Sequence, residues 1–99
     1  MSVYILLSKL TTEGRKTIKE RPGRIREVGA ELESSGVKVL EQYATLGPYD
    51  FVSVIDAPDN ETISEVSVDL CSRGTIEIMT LAAIPVDSFV STLKSGKKS

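Results

Sequence analysis

Apolar residues recur along this chain in two rhythms. "VYILLSKL" (3–10), "VKVLEQYAT" (37–45), "YDFVSVIDA" (49–57) and "TIEIMTLAAI" (75–84) are short, rich in β-branched and aromatic residues, and read as strands. The second and third are joined across Leu46-Gly47-Pro48, which predicts a β-hairpin. Residues 11–36 are helical in character but broken near Arg21-Pro22-Gly23. Thr11 or Thr12 is placed to cap a short first helix. The second carries Ile25, Val28 and Leu32 on one stripe and stops at Gly36. Asp59 then caps a helix whose stripe is Ile63, Val66 and Leu70, closed by Gly74. Residues 85–93 fit a short terminal helix or an added edge segment that buries Val86, Phe89 and Val90. One domain is expected over 1–93, followed by a frayed, polar, basic tail at 94–99.

The order β-α-β-β-α-β is the split βαβ arrangement of ferredoxin-like α+β folds, with two helices on one face of a four-stranded antiparallel sheet. The other face is then the informative one. Val3, Ile5 and Leu7 alternate with Tyr4 and Leu6; Val52 and Val54 alternate with Phe51 and Ile55; Met79, Leu81 and Ala83 alternate with Ile76, Ile78 and Ala82. Both faces are apolar, whereas a solvated face reads polar at every second position. A four-stranded sheet offers about 800 Å² of corrugated surface, one side of an ordinary protein interface. Burying roughly ten side chains there at ~1 kcal/mol each outweighs a typical association cost. A homodimer or higher homo-oligomer through the sheet face is expected, since 85–93 is too short a segment to cover it.

Composition narrows the chemistry. A net charge of −2 lacks the broad cationic face that nucleic-acid binding needs. The longest apolar run, Val3 to Leu7, is strand-sized, so no membrane span is expected, and no secretory signal is apparent at the N-terminus. The single cysteine, Cys71, excludes an intramolecular disulfide and fits a cytoplasmic protein. With no histidine, the commonest general base and metal ligand are missing, so no metal site and no cofactor are expected.

The remaining candidates are few. Gly47-Pro48 turns the chain between two strands, presenting the Tyr49 phenol and the Asp50 carboxylate. Asp50 reads first as an acceptor of backbone N–H groups in the hairpin, and in the alternative as a proton or ligand acceptor oriented by Tyr43 or Tyr49. The basic run from Arg15 to Arg26 is interleaved with Glu13, Glu20 and Glu27, the pattern of a solvated helical surface. Arg24 stands apart because it follows Pro22-Gly23 at a helix start, where an arginine can grip an anion bidentately. Glu41 and Gln42 point in opposite directions from one strand, so one of them faces the helices or the oligomer interior; Glu77 poses the same question.

"KLTTEGRKTI" (9–18), "RPGRI" (21–25), "YATLGPYDFVSVIDAPD" (43–59) and "SRGTIEIMTLAAI" (72–84), taken in this order, resemble the GYD-domain family, with Gly47, Tyr49 and Asp50 matching its namesake signature. The resemblance implies a ferredoxin-like dimeric α/β barrel and carries no catalytic residue. Two functions follow as expectations. The first is a non-catalytic module that binds a small molecule or regulates a partner, with Tyr43, Gly47, Tyr49, Asp50 and Arg24 as ligand-binding candidates. The alternative is a cofactor-independent oxygenase or isomerase acting on a small organic substrate in the cleft between sheet and helices, through Tyr43, Tyr49 and Asp50. A cleft of a few hundred Å³ with a buried carboxylate would favour the enzyme; an Asp50 tied to backbone amides would favour the module.

Overall fold

A computed structural model describes residues 2–96. The elements are β1 (Ser2–Leu10), α1 (Thr12–Glu20), α2 (Arg24–Ser34), β2 (Lys38–Ala44), β3 (Phe51–Ala57), α3 (Asn60–Cys71), β4 (Ile76–Ala83) and α4 (Val86–Gly96). The sheet is antiparallel throughout, in the order β2-β3-β1-β4. This is the ferredoxin-like α+β fold, its first helical segment split in two.

Local chemistry sets each boundary. Thr11 caps α1: its hydroxyl oxygen accepts from Gly14 N at 3.1 Å and its hydroxyl donates to the Gly74 carbonyl at 2.8 Å. α1 ends before Pro22, which disfavours helical backbone in the residue ahead of it. α2 ends at Gly36, whose φ of 86° suits a residue without a Cβ, and Val37 N closes onto Leu32 O at 3.0 Å. Asp59 caps α3 by accepting from Thr62 N at 2.8 Å.

The core lies between the sheet's front face and α2 and α3. Tyr4, Leu6, Ile55 and Ala57 rise from the sheet to meet Leu32, Ile63, Val66 and Leu70. The α3 stripe thus buries as read, while in α2 Leu32 is buried and Ile25 and Val28 are half-buried. The Tyr4 phenol satisfies its polar end by donating to Asn60 Oδ1.

α4 departs from expectation. Residues 86–96 are all exposed, and Val86, Phe89 and Val90, expected to be buried, face outward within the single chain together with Leu93; Phe89 is 51% exposed. The cause is geometric: Pro85 follows the end of β4, and the helix leads away from the sheet instead of folding beneath it, which stretches the molecule to 56 Å in one direction and 19 Å in another. Because the helix reaches Gly96, the first residues of the expected frayed tail are helical; Lys97, Lys98 and Ser99 lie outside the described residues.

Candidate functional site

The strand register sorts the sheet into rows. On the front face, Ala44, Phe51, Ser8 and Ile78 form one row, and Gln42, Ser53, Leu6 and Thr80 the next. A cavity of about 130 Å³ opens above these rows, between the sheet and the first two helices. Its floor includes Ser8, Ser53 and Gln42; its roof is Ile18 from α1 with Ile25, Val28 and Leu32 from α2. Leu70 and Arg73, at the end of α3, close one side, and Arg24 another. Ser8 and Ser53 are the buried polar residues of the sheet, each 5% exposed.

Arg24 and Arg73 meet through one carboxylate. Arg24 Nη1 donates to Glu31 Oε1 at 3.1 Å and Arg73 Nη2 to Glu31 Oε2 at 2.5 Å. Arg73 also pairs with Asp69 at 2.9 Å, and Glu27 accepts from both Arg21 and Arg24. The hydrogen bond from Arg73, with that from Arg24, holds the Glu31 carboxyl below its ordinary range against the opposing effect of burial. Reciprocally, Glu31 holds the Arg73 guanidinium still more firmly protonated. These pairs are half-exposed, so each contributes little stability. Their consequence is orientation: the two guanidinium groups stand at fixed places on the cavity wall.

The back of the sheet carries the apolar rows read from sequence. Tyr43, Val52, Leu7 and Met79 form one, and Val54, Ile5 and Leu81 the core of the next. Met79 and Leu81 are exposed, and the others of this group apart from Tyr43 are half-buried within the chain. Among the described residues no element covers this face, since α4 points away.

Of the ligand-binding candidates Tyr43, Gly47, Tyr49, Asp50 and Arg24, only Arg24 lines the cavity; of Glu41 and Gln42, it is Gln42 that does. Tyr43 lies on the back of the sheet, 56% exposed, its hydroxyl 3.3 Å from Glu41 Oε2. Tyr49 points the same way, its hydroxyl 3.8 Å from the Met79 sulfur. Neither stands in the cleft between sheet and helices. For Tyr43 the reason is a bulge between Val39 and Glu41: it inverts the alternation of β2, so that Gln42 takes the front and Glu41 and Tyr43 the back. Glu77 also lies on the back, exposed and opposite Lys9. Gly47 sits at the exposed hairpin tip with φ of 114°.

Asp50 is a backbone tie. Its carboxylate accepts from Leu10 N at 2.8 Å, its own N–H donates to Ser8 O at 2.8 Å, and its carbonyl accepts from Thr45 N at 2.8 Å. It therefore fastens the hairpin to the end of β1. Sequence reasoning passed over Arg73, Ser8 and Ser53. The serines carried a legible signal, being polar residues at core-facing positions of apolar strands; the meeting of Arg73 with Glu31, 42 residues away, carried none.

With this geometry in place, two likenesses bear on identity. A protein of Thermus thermophilus, named glutamine synthetase and cystathionine beta-lyase binding protein, is 48% identical over 95 residues, covering 95% of this chain and all of that protein. The model of the GYD domain matches residues 4–93, a span that takes in the sheet, the cavity and most of α4. The chain belongs to the GYD domain family.

Proposed function

We propose that this protein is a cytoplasmic, non-catalytic regulatory module: a homo-oligomer that docks on partner enzymes and takes a small molecule between its sheet and helices. The uncovered apolar face of the sheet carries the reading. Its exposed Met79 and Leu81, the half-buried rows beside them and the outward stripe of α4 are apolar surface of the kind a monomer rarely leaves in water. A second copy laid sheet to sheet buries most of it. Protein partners are supported by the Thermus relative, whose name describes it as binding glutamine synthetase and cystathionine beta-lyase. A non-catalytic role is supported by the cavity, which no carboxylate lines among the described residues, and by Asp50, whose hydrogen bonds go to backbone groups.

The test has two parts. Sedimentation at micromolar concentration is expected to give a dimer or larger species; a monomer removes the homo-oligomer. Immobilised protein is then exposed to purified glutamine synthetase and, separately, to cystathionine beta-lyase. Saturable binding of at least one is expected, and failure of both removes the proposed partners while leaving the assembly standing.

A further inference from the structure

The cavity's lining sorts its own ligand. Apolar side chains form most of its roof, and the two charged residues at its sides, Arg24 and Arg73, are both cations. We infer that the cavity between sheet and helices is a binding site for a small organic acid with a short apolar tail, its carboxylate held by Arg24 and Arg73. This rests on the reading of the cavity as a ligand site and adds the ligand's chemical class.

The donors are arranged for it. Arg24 makes its ion pairs through Nη1 and Arg73 through Nη2. Among the described residues, the remaining N–H groups of each guanidinium have no side-chain acceptor, so each fork keeps an edge for a carboxylate. Glu31 anchors both forks from outside the lining and fixes their separation. Deeper in, Ser8 and Ser53 stand buried on the floor with hydroxyls that suit an uncharged oxygen on the ligand. The volume, about 130 Å³, is close to the ~150 Å³ in which an apolar cavity holds benzene, so a tail of about four to six carbons fits. An amine would face two guanidinium groups, and an amino acid's ammonium would find no carboxylate on the described lining.

Backbone-amide NMR of the full chain tests this with four probes of similar shape: 4-methylpentanoate, 4-methylpentanamide, 4-methylpentylamine and L-leucine. Saturable shifts at Ser8, Val28 and Ser53 are expected with 4-methylpentanoate. The neutral amide should bind about tenfold more weakly or worse, as should Arg24→Met or Arg73→Met protein with the acid, since each comparison removes a charge-assisted hydrogen bond. The amide comparison needs no variant and so holds even if a substitution unfolds the chain. Amide or amine binding as tight as the acid overturns the assignment while keeping the cavity as a site. Tighter binding of L-leucine overturns the lone-carboxylate class. Silence from all four at those three amides overturns the ligand class and the cavity reading together, while leaving self-association and partner docking intact.

Discussion

Asp50 shows how one residue can join three strands. It accepts from β1, donates back to β1 and closes the β2–β3 hairpin. Asp50→Ala should lower unfolding free energy in urea by about 1–2 kcal/mol, because Leu10 N loses its partner at a half-buried position. Asp50→Asn keeps an acceptor and should fall between. Gly14 makes the opposite kind of demand. A Cβ there would lie 1.9 Å from the Thr75 carbonyl oxygen, because α1 crosses tightly over the loop into β4, where Thr11 N also bonds Thr75 O. Gly14→Ala, ordinarily favourable inside a helix, should instead cost about 1–3 kcal/mol, read as a lowered melting temperature. Neither role was legible in full. Asp50 beside a turn suggested a backbone acceptor, but nothing in the chain's pattern marked Gly14, whose constraint comes from Thr75, far along the chain.

At the scale of elements, stripes and caps were the legible features. Thr11 and Asp59 cap the helices assigned to them, and Ile63, Val66 and Leu70 bury together because a spacing of three and four residues has one geometric meaning. The bulge in β2 was not legible, and it alone decides which of Glu41, Gln42 and Tyr43 faces the cavity. The Arg24–Glu31–Arg73 link joins α2 to the end of α3, and its pH dependence has a definite sign. The Glu31 carboxyl is held below its ordinary 4.5 by its arginines, so its contribution is full above that pH and is lost as pH falls through the lower value of the folded state. Glu31→Gln should therefore be less stable than the parent at neutral pH, by a few tenths to about 1 kcal/mol given solvent screening, with the gap closing in acid and in high salt. Urea titrations at pH 7 and pH 3 make the comparison.

For the whole molecule, the two-sided sheet was the strongest message of the sequence, and the structure keeps it: Ile5, Val54 and Leu81 share one uncovered row. What the sequence withheld was the path of the last helix, because Val86, Phe89, Val90 and Leu93 make the same stripe whether they pack on their own sheet or elsewhere. Leu81, 41% exposed on the back face of the edge strand β4 and level with Ile5 and Val54, is the place to probe assembly. Leu81→Glu should shift sedimentation toward monomer while leaving the melting of the front-face core cooperative, since a carboxylate buried between two sheets would lack a partner.

The space above Ser8 and Ser53 has a mechanical consequence as well as a chemical one. Unfolding eliminates internal voids, so hydrostatic compression favours the open chain, and the space between sheet and helices is where this fold is soft to it. A tightly fitting guest would turn that soft spot into a stiff one, raising the pressure at which the chain gives way.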